Sequence, residues 1–179
     1  MKYDLDIIVP VFREEGNISK TIEEIFKIPE INFRVLVVYD FDEDPTIQVI
    51  KNNFDKTQII YLKNKYQGLN GAIKTGFENI QSKATLLYPA DDHENFNLIA
   101  KMFYKFCEGY DIVCASRFID GGSYEGAPLV KRLIVKFVSF TLTNFTSLPT
   151  KDATNGFRLF SKSVVENNQI VTNKVINDL

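Results

Sequence analysis

The sequence predicts an α/β domain: a mainly parallel open sheet with helices on both faces. Three observations lead there. Short runs rich in Ile, Val, Leu and Tyr alternate with longer segments whose apolar residues recur at helical intervals. The strand runs are almost continuously apolar, as strands covered on both faces are. Strand followed by helix repeats four times, the order that joins parallel strands through crossovers.

The first predicted strand is Leu5 to Phe12, followed by a helix over Ile18 to Ile28 with Asn17 as its N-cap. Phe33 to Asp40 is the second strand, and Pro45 to Phe54 the second helix, capped by Asp44. Thr57 to Leu62, Leu69 to Ile80, Ala84 to Tyr88, Phe96 to Cys107 and Asp111 to Ala115 continue the alternation. The pattern then changes. Gly121, Gly122, Gly126 and Pro128 make a loop, an amphipathic stretch runs from Leu129 to about Leu148, and Lys151 to Phe160 reads as a turn-rich lead into a short helical tail. With no internal repeat or linker, residues 1–179 form one domain.

The composition excludes several classes of function. A chain of 179 residues, 45% hydrophobic and 25% charged, can bury a core without disulfides or a structural metal. Cys107 and Cys114 are seven residues apart, matching no common zinc or redox spacing, so a reduced, cytoplasmic protein is expected. Lys and Arg number 21 against 23 Asp and Glu, a net charge of −2, which leaves no global positive field to hold nucleic acid. The longest uncharged run, Phe137 to Thr150, has 14 residues, short of the ~20 that cross a bilayer as a helix. Asp4 and Asp6 stand where a secretory signal would need a basic head and an apolar run.

In an open parallel sheet, ligands bind beyond the carboxyl ends of the strands, where strand order reverses. Three clusters fall at such ends: Pro10 to Glu15, Asp40 to Asp44, and Pro89 to His93. A lone Asp there more often caps a helix or orders a turn. Carboxylates converging on one rim would repel each other unless a cation sat between them. Mg2+ or Mn2+ suits such a place, because these hard ions take carboxylate oxygens together with substrate phosphates. His93, the single histidine, reads equally as a polar residue opening a helix or as a group beside a metal or phosphate. The turn after the first strand has no Gly-x-Gly-x-x-Gly, and no P-loop occurs. Gly68, Gly71 and Gly76 instead mark the third helix, where small residues allow tight packing or backbone approach to a ligand.

Taken in order, the segments resemble the inverting glycosyltransferases of family 2, and within them the polyprenyl-phosphate (dolichol-phosphate-type) mannosyl- and glucosyltransferases. The residues that carry the resemblance are Ile7 to Ile18, Val37-Val38-Tyr39-Asp40, Gly68-Leu69-Asn70-Gly71-Ala72, Ala90-Asp91-Asp92, Ser116-Arg117-Phe118-Ile119-Asp120-Gly121-Gly122-Ser123, and Asp152-Ala153-Thr154-Asn155-Gly156-Phe157-Arg158. The two late motifs are the most specific. The resemblance implies a nucleotide-diphospho-sugar transferase architecture of the GT-A type, a GDP- or UDP-linked sugar as donor, a divalent metal, and a lipid-linked phosphate as acceptor. It also implies that the catalytic domain of relatives continues past the Gly-Phe-Arg motif, so the chain would lack the C-terminal part.

Carried over by position, Pro10, Phe12, Glu14 and Asp40 would line the nucleoside pocket, with Gly68 beside it. Asp91 would match the metal ligand. Pro89 stands at the first position of the family's Asp-x-Asp motif and cannot ligate, which leaves Asp91 with Asp92, His93 or the donor diphosphate. Arg117, Arg132 and Arg158 would bind phosphate oxygens through paired, charge-assisted bonds. The implied reaction is one in-line displacement at the anomeric carbon. A phosphate acceptor needs positioning more than deprotonation, whereas a hydroxyl acceptor needs a base, for which Asp152 is the candidate. A sugar-phosphate nucleotidyltransferase and a non-catalytic nucleotide-sugar-binding module are the alternatives; Arg13-Glu14-Glu15 is too acidic for the triphosphate loop of the former. Leu129 to Phe145 carries Lys131, Arg132 and Lys136 among apolar residues, and reads either as a helix lying on the cytoplasmic face of an anionic membrane or as a core helix.

Overall fold

The computed structural model describes residues 3–92, 94–116, 133–135, 137, 138, 141, 152 and 155–167. Strands β1 (Leu5–Val11), β2 (Phe33–Tyr39), β3 (Ile59–Lys63), β4 (Ala84–Leu87), β5 (Ile112–Cys114) and β6 (Arg158–Ser161) form one six-stranded sheet in the order β3-β2-β1-β4-β6-β5. Helices α1 (Ile18–Ile25), α2 (Pro45–Asn53), α3 (Gly68–Phe77) and α4 (Asn97–Cys107) connect the first five strands, and a short α5 (Lys162–Asn167) follows β6. The α/β architecture expected from the alternation is therefore present.

Alternate residues of each central strand feed opposite layers of core. Ile7, Val9, Val35, Val37 and Leu86 pack with Ile18, Ile22 and Ile25 of α1, Ile47 and Ile50 of α2, and Ile99 and Met102 of α4. Ile8, Leu36 and Val38 pack on the other face with Ala72 and Phe77 of α3 and Val165 of α5. This two-sided burial explains why the strand runs lack apolar-polar alternation. Each Ile or Leu fully withdrawn from water contributes about 1.5–3 kcal/mol before chain entropy is set against it.

Two of the three helix glycines serve packing. A Cβ on Gly76 would lie 2.6 Å from Ile8 Cγ2, so its absence lets α3 sit directly on β1. A Cβ on Gly71 would lie 2.8 Å from Tyr66 Cβ. Gly68 differs: its φ of +71° belongs to the turn that opens α3, following Gln67 at +63°. The predicted caps divide as well. Asp44 accepts from Thr46 N at 2.9 Å and caps α2. Asn17 occupies the cap position of α1 but makes no capping bond; its amide reaches the Glu14 carboxylate at 3.2 Å instead.

β6 was not expected. It inserts between β4 and β5, antiparallel to both, so β5 runs parallel to β4 and, among the described strands, pairs with β6 alone. Arg158 interrupts its apolar run and the preceding Asn-Gly signals a turn. A strand of four residues is too short for periodicity to override those signals.

The amino end of the sheet is closed by a buried ion pair. Asp6 and Arg34 are register partners on β1 and β2. Arg34 donates through Nε to Asp6 Oδ1 at 2.6 Å and through Nη2 to the Asn79 carbonyl at 2.8 Å. Asp6 Oδ2 also accepts from Gln81 N (2.6 Å) and Ser82 N (2.9 Å), and Oδ1 from Ser82 Oγ (3.0 Å). Burial by itself would raise the Asp6 carboxyl; the Arg34 hydrogen bond, the two amides and the Arg34 charge together outweigh it and hold the group below its ordinary value.

Candidate active site at the carboxyl rim of the sheet

The chain runs from β1 to β2 and β3 on one side, then crosses to β4 on the other side of β1. Strand order therefore reverses at β1. The crevice outside the carboxyl ends of β1, β2 and β4 is the place where open α/β sheets bind ligands. Because β1 pairs in parallel with both β2 and β4, the segments after these three strands all emerge at that rim.

After β1 come Phe12, Arg13 and Glu14. Phe12 is 57% exposed, and its ring meets Phe41, from the segment after β2, edge to face at 5.7 Å. The Arg13 guanidinium carbon lies 5.7 Å from the Phe12 centroid and 5.9 Å from that of Phe41, within range of a cation-π attraction. Arg13 has φ +57°. Its amide donates to Asp44 Oδ2 at 3.1 Å, and the Glu14 amide donates to Thr46 Oγ1 at 2.8 Å.

After β2, the half-buried Asp40 fastens the turn that opens α3. Asp40 Oδ1 accepts from Asn64 Nδ2 at 2.6 Å and Oδ2 from Gly68 N at 2.9 Å. Asn64 is itself held by its amide bond to Tyr39 O (2.7 Å) and by Thr75 Oγ1, which donates to its Oδ1 at 3.1 Å. Asp42, further out, pairs with Lys63 on the surface.

After β4, the chain is tied to α1 by Thr21 Oγ1, which donates to the Ala90 carbonyl at 2.7 Å. Asp91 is exposed and has no hydrogen-bond or ion-pair partner among the described residues. Asp92 is engaged: its Oδ1 accepts from the amides of Glu94 (3.1 Å) and Asn95 (3.0 Å), and its Oδ2 from Asn95 Nδ2 (3.0 Å). Tyr88 is buried at the end of β4 and packs edge to face on Phe157 at 5.1 Å. Burial, with the charges of Asp92 and Glu24, raises its hydroxyl well above the usual tyrosine range, so it stays neutral.

The antiparallel course of β6 brings its first residue to the same rim. Arg158 lies opposite Leu87 of β4 and Cys114 of β5, at the carboxyl ends of both. The approach to it is braced by Asn155, which donates to the Ala115 carbonyl at 3.1 Å and accepts from the Phe157 amide at 3.0 Å. Asp152 precedes this turn and is completely buried.

Of the expected site residues, Pro10, Phe12, Glu14, Asp40, Gly68, Asp91, Asp92 and Arg158 thus stand on segments that meet at one edge of the sheet. His93, Arg117 and Arg132 lie outside the described residues. Arg13 and Phe41 fell inside the expected strand-end clusters but were assigned no role, and Asn64 was not expected. Asp44 was expected as a cap and as a member of the cluster after β2, without its contact with the loop after β1.

The donor set suits a hard divalent cation shared with a substrate. No three His, Cys, Asp or Glu side chains gather as a metal cage among the described residues. Asp91 offers an exposed carboxylate at the rim, and one or two such oxygens suffice when phosphates complete the coordination.

The mainly parallel sheet has the GT-A type fold of the solved structures that it resembles. The chain belongs to glycosyl transferase family 2, whose model matches residues 6–168. It is 26% identical over 168 residues to the dolichol-phosphate mannosyltransferase of Pyrococcus furiosus, covering 90% of this chain and 47% of that protein. An uncharacterised glycosyltransferase of Synechocystis is 26% identical over 170 residues, covering 92% and 52%. Glucosyl-3-phosphoglycerate synthase from Mycobacterium tuberculosis, solved with Mn2+, UDP and glucosyl-3-phosphoglycerate, superposes with a TM-score of 0.66 at 13% identity, covering 90% and 58%. The chain spans about half the length of the curated relatives it matches.

Proposed function

We propose that this chain is the donor-binding part of an inverting glycosyltransferase that moves a hexose from a nucleoside-diphosphate sugar to a polyprenyl phosphate. What supports this reading is that the segments bearing an aromatic pair (Phe12, Phe41), two carboxylates (Asp40, Asp91) and Arg158 come to one edge of the sheet. In this arrangement the base and ribose lie against Phe12, Pro10 and Glu14 near the turn that Asp40 and Gly68 hold, and Asp91 holds Mg2+ or Mn2+ with the diphosphate. The ion supplies positive charge against the charge that develops on the departing diphosphate. Arg158, with Arg117 and Arg132, binds phosphate oxygens of donor and acceptor. An acceptor phosphate is already anionic, so orientation suffices; Asp152 is the base that a hydroxyl acceptor would require. A thermal-shift panel of UDP, GDP and their sugars, with and without Mn2+, tests the donor site, because a ligand that binds only the native state raises its melting temperature. Stabilisation by one nucleotide, enhanced by Mn2+, is expected; no shift from any of them would sink the proposal.

The lipid acceptor draws its support from the helical residues 133–135, 137, 138 and 141. Leu133 (68% exposed), Ile134, Phe137 (70%) and Val138 recur on one helical face and are all exposed, with Lys131, Arg132 and Lys136 beside them in sequence. An exposed apolar face flanked by cations suits peripheral binding to anionic lipid. Among the described residues no helix is long and apolar enough to cross a membrane. Flotation with liposomes containing acidic lipid should recover the protein at low salt, and absence from the lipid fraction at both low and high salt would remove the membrane from the proposal.

A further inference from the structure

The loop after β1 is held by an acid that does more than cap a helix. Asp44 and Thr46 are both completely buried. Asp44 Oδ1 takes the Thr46 amide, which is all that the cap of α2 requires. The second oxygen reaches across to the Arg13 amide, 31 residues earlier, and the Thr46 hydroxyl takes the next amide, that of Glu14. Between these two bonds Arg13 sits at φ +57°, a conformation that a side chain with a Cβ adopts only when its surroundings impose it. The result of that backbone turn is the seat of the guanidinium, against Phe12 on its own segment and Phe41 on the neighbouring one.

We infer that Asp44 is a positioning residue of the donor site: by fixing Arg13 in the left-handed conformation it seats the guanidinium against both Phe12 and Phe41, and these three side chains form the surface on which the nucleotide base stacks. The inference rests on the donor-site reading above and adds to it how the base wall is set. Arg13 and Phe41 touch the base side of the ligand, and Asp44 acts through them. Aromatic rings and a planar cation recognise a base by its π face, so the effect on binding should be confined to ligands that carry a base.

The test is titration calorimetry of UDP, GDP and inorganic pyrophosphate, each with Mn2+, against wild type, Asp44→Asn, Arg13→Gly and the double variant. Asn can keep one acceptor oxygen for the cap but offers a donor in place of the other, and Gly adopts φ +57° freely while removing the guanidinium. For the nucleotide that wild type binds, each single variant should weaken affinity about tenfold, and the double variant should be no weaker than the worse single variant within about twofold. Pyrophosphate affinity should not change. A drop in melting temperature for Asp44→Asn with nucleotide affinity unaltered would overturn the inference and leave Asp44 a purely structural acid. So would a parallel loss of pyrophosphate affinity, which would place Arg13 on the phosphates. If Asp44→Asn fails to fold, Arg13→Gly decides alone, and wild-type affinity in that variant overturns the inference. Wild type that binds neither UDP nor GDP overturns the donor-site reading and this inference together, whereas binding that is indifferent to the substitutions overturns this inference only.

Discussion

The two ends of the central sheet use the same chemical groups in opposite ways. At the amino end, the Asp6 carboxylate meets a guanidinium, two amides and a hydroxyl, and its oxygens are saturated from within the protein. At the carboxyl end, Asp91 has no such partners among the described residues, and Phe12 leaves more than half of its surface to solvent. Asp40 is intermediate, with each oxygen engaged once. A carboxylate surrounded by fixed donors stabilises the fold and has little left to offer a ligand. One placed beyond a strand end without them keeps its oxygens open to solvent and to a cation.

The sharpest separation of the two ends should come from Asp6→Ala. Arg34 would remain buried without its counter-charge, and a loss of about 3–5 kcal/mol is expected, read from urea denaturation. Nucleotide affinity of the protein that remains folded should not change, and a shift in affinity would break the comparison. The same group predicts the acid behaviour. Its folded value is depressed, so its contribution is complete above the ordinary carboxylate pKa of about 4 and is lost as pH falls through the lower folded value. Urea midpoints of wild type should therefore fall steeply below that pH, and those of Asp6→Asn less steeply.

Gly76→Ala should follow, with a cost of about 1–3 kcal/mol, because the new methyl meets the fully buried Ile8 at 2.6 Å. A melting temperature equal to wild type would mean that α3 and β1 can separate freely. At the rim, Asp91→Asn should leave stability nearly unchanged and weaken the Mn2+-dependent part of nucleotide binding about tenfold, measured by calorimetry with and without the ion. An unchanged metal response would displace Asp91 from its proposed role. The smallest effect is expected from Lys63→Ala. Its partner Asp42 and Lys63 itself are both more than half exposed, and such pairs contribute little in water; thermal melts of the two proteins should coincide.

Much of this contrast could be read in the sequence, for physical reasons that differ by element. Continuous apolar runs such as Leu5 to Val11 announce strands buried on both faces, and Ile18, Ile22 and Ile25 announce a helix lying on them. Asp40 and Asp91 were legible as groups at strand ends because parallel topology sends successive carboxyl ends to one edge. What the sequence did not reveal depends on contacts between distant residues. Asp44 looks like any cap until Arg13 is brought beside it, and Asn64 has no local pattern that betrays its grip on Asp40. Asp92 looks as available as Asp91, yet its Oδ1 is taken by the backbone amides of Glu94 and Asn95 and its Oδ2 by the Asn95 side chain. β6 escaped because a turn signal and a charged residue masked a strand only four residues long.

That late strand also bears on how the protein is made. β1 to β4 are consecutive in the chain and can zip together as they leave the ribosome, but among the described strands β5 has no neighbour except β6. Until Arg158 to Ser161 have been translated, Ile112 to Cys114 present an unsatisfied backbone edge. Arg158 takes its place at the carboxyl ends of β4 and β5 in the same event that covers this edge. If Arg158 binds phosphate as proposed, that binding should appear late and abruptly in a series of stalled nascent chains, after the contact between Phe12 and Phe41 has formed.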